Sequence, residues 1–308
     1  MTDLVPLLGG AVAGERRALA RLLTAIESDA TGIRELIPSL FDASRGAHLV
    51  GITGPPGSGK STLVNALATV WRRRGRRVGI LAVDPSSPYT GGAIMGDRIR
   101  MMEHAADLDV FVRSMASRGE PGGLAGTTWI AAAALDAAGY DPVLVETVGA
   151  GQSEVEIARL AETTVVVEVP EMGDEVQAIK AGLLEVADLI VVNKGDRPGA
   201  ELAARQLRAM LSSVGGRITR QPPAILTTTA LSGEGVDALA DAIDAHRATA
   251  RRPEQATQRA RNQLRRAAAE IGVRAATAHP DWDKLVDAVA ERRVDPVSAA
   301  ERLVGLRP

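Results

Sequence analysis

The chain has no cysteine among its 308 residues. Disulfides, thiolate metal sites and thiol nucleophiles are therefore excluded. Aromatics are nearly as scarce, at 2% of the residues. The core must be built from Val, Leu, Ile and Ala, and few rings are available to stack on bases. Neither charge sign dominates: 36 basic residues stand against 38 acidic ones, so no general electrostatic grip on nucleic acid is expected. No apolar run is long enough to span a bilayer. The opening MTDLVPLLGG lacks the basic start and full apolar stretch of a secretory signal. These absences predict a cytoplasmic globular chain without nucleic-acid or membrane partners. The basic stretches Arg72 to Arg77 and Arg251–Arg252 are expected to be solvated surface, and the four His (His48, His104, His246, His279) are scattered along the chain.

What is present is alternation. GERRALARLLTAIESD sets Leu19, Leu22, Leu23 and Ile26 at helical spacing, so residues 1–45 are expected to form a helical N-terminal extension. The period then changes. HLVGIT, RVGILAVD, DVFVRS, DPVLVET, TTVVVEV, LIVVNK and PAILTTTA are short Val- and Ile-rich runs with helical patterns between most of them. That predicts an α/β fold over 46–247, a doubly wound, mainly parallel sheet with helices on both faces. Residues 248–308 read as helical, and DPVSAAERLV supplies a start signal with Asp295 as cap and Pro296 in the first turn.

Within this frame GPPGSGKS, Gly54 to Ser61, fits the phosphate-loop pattern G-x-x-x-x-G-K-S/T. It follows an apolar strand and opens a helix, the context that separates a phosphate loop from a chance match. Gly54, Pro55, Pro56, Gly57, Ser58 and Gly59 would wrap backbone N–H groups around phosphate oxygens, aided by the helix N-terminus. Lys60 would reach the β- and γ-phosphates. Ser61 would ligate Mg²⁺, with Thr62 beside it. The nucleotide follows from LIVVNKGD. Asn193, Lys194 and Asp196 close an apolar strand, where an Asp carboxylate can accept from both the ring N1–H and the 2-amino group of guanine. Adenine offers no such donor pair, so the carboxylate would be left unpaired against it. Lys194 can lay its stem along the base. Thr229, Ala230 and Leu231, after the next strand, stand where a backbone N–H would complete the pocket.

Three acids occupy positions suited to magnesium and water: Asp84 and Glu146 at strand ends, and Asp97 in a glycine-rich stretch. Gly149 can offer its N–H to the γ-phosphate. The loops DPSSPYTGGAIMGD, ETVGAGQSEVE and PEMGDEVQAIKAG are expected to act as three switches. Ala150 follows Gly149 where many signalling GTPases carry a water-orienting Gln. Hydrolysis by the chain alone should then be slow, needing a partner or the rearrangement of a switch residue such as Gln152 or Lys180.

The blocks GPPGSGKSTLVNAL, DPSSPYTGGAIMGDRIRM, VETVGAGQSEVEIA, GDEVQAIKAGLLEVAD and NKGD resemble the MeaB/ArgK family of the SIMIBI class of P-loop GTPases. The resemblance covers most of the chain. It implies a G-protein chaperone of adenosylcobalamin-dependent acyl-CoA mutases, above all methylmalonyl-CoA mutase, using GTP and GDP with Mg²⁺ to gate cofactor loading and to protect or reactivate the mutase. It further implies a homodimer with residues 248–308 as dimerisation arm. Lys60 and Ser61 would hold phosphate and Mg²⁺, with Asp84, Asp97 and Glu146 in the magnesium and switch network. Asn193, Lys194 and Asp196 would read guanine, and Asp174 and Lys180 would lie in a mutase-responsive third switch. Two other readings stay open. One is an ATPase or kinase tied to arginine/ornithine (LAO/AO) transport, which NKGD opposes; the other is a metal-delivery GTPase, which the absence of Cys opposes. No Asp-x-His-x-x-Gly cobalamin motif occurs, so cobalamin is expected to stay on the partner.

Overall fold

The computed structural model describes residues 4–28, 30–84, 106–116, 123–147, 160–170, 186–214 and 222–306. Its strands are β1 (Leu49–Thr53), β2 (Val78–Asp84), β3 (Val110–Ala116), β4 (Val143–Thr147), β5 (Thr163–Glu168), β6 (Leu189–Val192) and β7 (Ala224–Thr227). Its helices are α1 (Val5–Val12), α2 (Arg16–Glu27), α3 (Ile33–Asp42), α4 (Lys60–Arg73), α5 (Gly123–Ala137), α6 (Ala200–Val214), α7 (Val236–Ala250), α8 (Pro253–Thr277), α9 (Trp282–Ala290) and α10 (Pro296–Leu303). All seven apolar runs singled out in the sequence contain strands.

The strands form one sheet in the order β3-β2-β4-β1-β5-β6-β7, and every strand pairing is parallel. Parallel strands need crossover connections, and the helices that supply them cover both faces. This explains why β4 and β5 read as unbroken apolar runs: every residue of both is buried. On one face α4 and α7 pack Leu63, Leu67, Trp71, Leu239 and Ile243 against Ile52, Ile80 and Val165. On the other, α5 and the N-terminal helices cover one half of the sheet, and α6 covers β6.

The N-terminal helices are part of this core. Leu19, Leu22, Leu23 and Ile26, the predicted stripe of α2, share one buried cluster with Leu81, Val143 and Val145 of the sheet. The link from α3 into β1 is latched by Asp136 of α5, whose carboxylate accepts from the N–H groups of Arg45, Gly46 and Ala47 and from the Ser44 hydroxyl. The chain divides into two units, 1–256 and 257–308. In the second, α10 starts as its sequence predicts: the Asp295 carboxylate accepts from the Val297 and Ser298 N–H groups, filling two of the donors a helix start leaves unpaired. Ala288, Ala299 and Leu303 are buried there.

One expectation is corrected. The basic stretch that closes α4 and runs on to β2 is not merely solvated. Arg72 bonds Asp107 at 2.8 Å and Asp109 at 2.7 Å, and Arg76 bonds Asp244 at 2.7 Å. The Trp71 indole N–H also donates to Asp244, and Arg77 lies 4.2 Å from the Tyr140 ring centroid. Periodicity identified these arginines as a polar face; only the crossovers could bring the acids to them.

Candidate functional site

The order of strands places the site. From β1 the chain crosses to β2 on one side, while β5, β6 and β7 run out on the other. The C-terminal end of β1 is thus a point of topological reversal, where open α/β sheets form their ligand crevice. The phosphate loop leaves β1 at this end and closes into α4, whose first residue is Lys60.

Two glycines show why the loop needs them. Gly54 has φ +141°, and a Cβ there would lie 2.2 Å from the Val167 carbonyl oxygen of β5. Gly59 has φ +86°, and its Cβ would lie 2.5 Å from the Asn193 amide nitrogen. Only a residue without a side chain lets the backbone approach these neighbours. Lys60 is buried, and its ammonium donates to the carbonyls of Gly54 at 2.6 Å and Pro55 at 3.0 Å. The loop thereby folds around its own cation. Ser61 and Thr62 are half-buried in the first turn of α4.

Two strands away, Asn193 joins three segments. Its amide donates to the Ser58 carbonyl at 2.8 Å, and its carbonyl accepts from the Thr228 hydroxyl at 3.1 Å and the Ala230 N–H at 3.2 Å. The phosphate loop, the end of β6 and the loop after β7 are tied through one side chain. Lys194 has φ +58°, a conformation costly for a side-chain-bearing residue, and its ammonium donates to the Gly57 carbonyl at 2.7 Å. Its stem therefore runs back towards the phosphate loop. Asp196 is exposed at the crevice rim. Thr229 and Ala230 are buried, while Leu231 is 89% exposed.

Glu146 lies beside Ile52 in the β4–β1 register and is wholly buried. An ionisable group fully removed from water at a crevice edge marks a functional site. Asp84 ends β2, its side chain outside the described part. Asp97, Gly149, Gln152, Asp174 and Lys180 lie outside the described residues, as do most of the three loops read as switches. Among the described candidates, the fold gathers Lys60, Ser61, Glu146, Asn193, Lys194 and Thr229 along one edge.

Two residues at this edge were missed from the sequence. Thr228 orients the Asn193 amide, although TTTA offered three adjacent hydroxyls with no way to choose among them. Glu168 is buried at the end of β5; it carries the same signal as Glu146, an acid closing an apolar run. Ser58, expected to act through its backbone, has a buried hydroxyl with no hydrogen-bond partner among the described residues.

Comparison with known proteins agrees with this geometry. The family model for methylmalonyl-CoA mutase-associated GTPase MeaB matches residues 19–279. A Pyrococcus abyssi relative is 42% identical over 301 residues, spanning 94% of this chain and 93% of its own length. The mouse mitochondrial methylmalonic aciduria type A homolog is 36% identical over 255 residues, 77% of this chain and 61% of its own. Among solved structures, a LAO/AO transport system kinase aligns with a TM-score of 0.70 and 26% identity over 99% of both chains. With a phosphate loop at the reversal point and an Asn-Lys-x-Asp edge bonded to it, this chain belongs to the MeaB family of mutase-associated GTPases.

Proposed function

We propose that this chain is a GTP-hydrolysing chaperone that gates adenosylcobalamin loading of an acyl-CoA mutase, methylmalonyl-CoA mutase first among them, and protects or reactivates it. The observation that carries the nucleotide half is the Asn193 junction, because it ties guanine-facing loops to the phosphate loop. Family membership carries the mutase half.

In this reading Lys60 exchanges its bonds to the Gly54 and Pro55 carbonyls for phosphate oxygens and stabilises charge on the transferring phosphoryl group. The loop N–H groups hold the phosphates. Asp196 pairs with N1–H and the 2-amino group of guanine, and the Lys194 stem covers the base. The oxygen donors Ser61 and the buried Glu146, with Asp84 and Asp97, fit Mg²⁺, a hard cation that prefers such ligands. That ion, when bound, neutralises charge between the β- and γ-phosphates. Gln152 or Lys180 is assigned to the attacking water, with Gly149 facing the γ-phosphate. Because no Gln follows Gly149, turnover is slow until the mutase reorders these residues.

Residues 248–308 serve as the dimerisation arm. Support comes from Leu264 and Ile271, seven residues apart on α8 and both exposed, a spacing a second copy could cover. The chain works in the cytoplasm, and cobalamin stays on the partner.

The test is GTP turnover with and without purified methylmalonyl-CoA mutase, with ATP as control. A slow basal rate that rises on adding the mutase supports the reading. A rate indifferent to the mutase removes the chaperone role while leaving the GTPase.

A further inference from the structure

At the N-terminal edge of the sheet, opposite the phosphate loop, two of the four histidines scattered along the sequence meet. His48, just ahead of β1, and His246, on α7, converge on one buried hydroxyl. The Nε2 of His48 lies 2.7 Å from Thr163 Oγ1, the first residue of β5. That oxygen lies 2.8 Å from Nδ1 of His246. Nε2 of His246 faces Oδ1 of Asp188 at 3.4 Å, just ahead of β6. Asp188 is itself fixed, its other oxygen accepting from the Thr164 N–H at 2.8 Å. His48 and Thr163 are both 0% exposed.

A hydroxyl has one proton, so Thr163 can donate to only one imidazole and must accept from the other. Nδ1 of His48 is buried with no hydrogen-bond partner among the described residues. An orphaned buried N–H is rarer than an under-used acceptor, so the neutral chain favours a bare Nδ1 on His48. The protons then run one way: His48 Nε2–H to Thr163 and Thr163 O–H to His246 Nδ1, which leaves the His246 proton on Nε2, facing Asp188 Oδ1 at 3.4 Å without hydrogen-bond geometry. If His246 gains a proton, its Nδ1 becomes a donor. Thr163 Oγ1 has two lone pairs, but if it accepted from both imidazoles its own buried proton would lose its acceptor; turned to His48 it keeps one, with His48 Nε2 then bare and the His48 proton on Nδ1. The count balances: one proton enters, and His246 alone changes charge.

We propose that Asp188, His246, Thr163 and His48 form a proton-operated clasp, in which one proton taken up at His246 reverses the Thr163 hydroxyl and switches the His48 tautomer. Protonation turns the His246–Asp188 contact into an ion pair binding α7 to β6, while a buried N–H on His48 opposes it. His48 itself stays neutral. Burial, then the Arg247 charge, lowers its pKa to about 3 against the pull of Asp141 and Asp244, with Arg251 adding to the lowering. The neighbouring charges are largely matched: Asp141 pairs with Arg76 and Arg247, Asp244 with Arg76, and Glu162 with Arg251.

Only four histidines are present, so nitrogen-15 NMR of the imidazoles on the full chain can read each tautomer, with His→Gln variants for assignment. From about pH 8 to about pH 5.5, His48 should pass from the Nε2–H to the Nδ1–H tautomer with the same midpoint as His246. Retention of one His48 tautomer throughout, whether or not His246 titrates, overturns the clasp. Thr163→Ser should keep the coupled switch. Thr163→Val should abolish it while His246 still titrates, and a switch that survives in Thr163→Val overturns the hydroxyl's role. Thr163→Ser alone decides the case if the valine variant does not fold, since loss of coupling with the hydroxyl intact also sinks the proposal.

Discussion

The two edges of one sheet handle charged side chains in opposite ways. At the N-terminal edge charges and hydroxyls are matched within the protein: Arg72 with Asp107 and Asp109, Arg76 with Asp244, Arg247 with Asp141 at 2.9 Å. At the C-terminal edge the donors point at backbone. Lys60 and Lys194 both end on carbonyls of the phosphate loop, bonds that a phosphate can displace at small loss. The contrast teaches that clustered charge alone does not mark a ligand site. What marks it is where the charge sits, on the phosphate loop at the reversal point of the sheet.

This contrast can be tested by asking which edge controls binding and which controls folding. The largest effect is expected from Lys60→Ala. Loss of a charged donor to phosphate should cost about 3 kcal/mol, roughly 100-fold in GTP affinity, with urea stability little changed. Unchanged affinity in calorimetry would sink the phosphate-loop assignment. Asp196→Asn should lower the preference for GTP over xanthosine triphosphate by a factor on the order of 100, because the amide can donate to the 2-oxo group. Competition binding reads this directly, and intact selectivity removes the guanine argument.

Gly59→Ala should breach the separation, harming both properties. Its Cβ meets the Asn193 amide at a backbone angle of +86°, so destabilisation of about 1–3 kcal/mol should accompany weaker GTP binding. A variant that folds and binds normally would mean that the Asn193 junction yields easily.

The smallest effect lies at the opposite edge. His48 has its pKa lowered from 6.5 to about 3 by burial and by Arg247, so the unfolded chain binds this proton more readily than the native one. The stability this depression confers is complete above pH 6.5 and is lost as pH falls towards 3. At about pH 5 the loss should reach about 2 kcal/mol relative to neutral pH. Urea titrations at both values, compared with His48→Gln, isolate the contribution; an equal slope in the variant would assign the acid sensitivity elsewhere.

Much of this was readable before any coordinates. Strands show as Val and Ile runs because burial on both faces of a parallel sheet leaves no polar position to interrupt them. The phosphate loop shows because its glycines, lysine and hydroxyl are fixed by chain geometry within eight consecutive residues, Gly54 to Ser61. The α2 stripe and the Asp295 cap are local for the same reason: helix spacing and unpaired N–H groups act over a few residues.

What the sequence could not order was anything set by strand neighbours. Nothing in NKGD says that Asn193 would reach 135 residues back to Ser58, or that Thr228 rather than Thr229 would donate to its carbonyl. The matching of Arg72 with Asp107 and Asp109, and the meeting of His48 and His246 on Thr163, follow from crossovers that bring distant strand ends side by side. Local chemistry therefore determined the elements and the phosphate loop. Which polar groups became partners, and which were left facing a ligand, was decided by the order of strands, because buried donors and acceptors can pair only with what the sheet sets next to them.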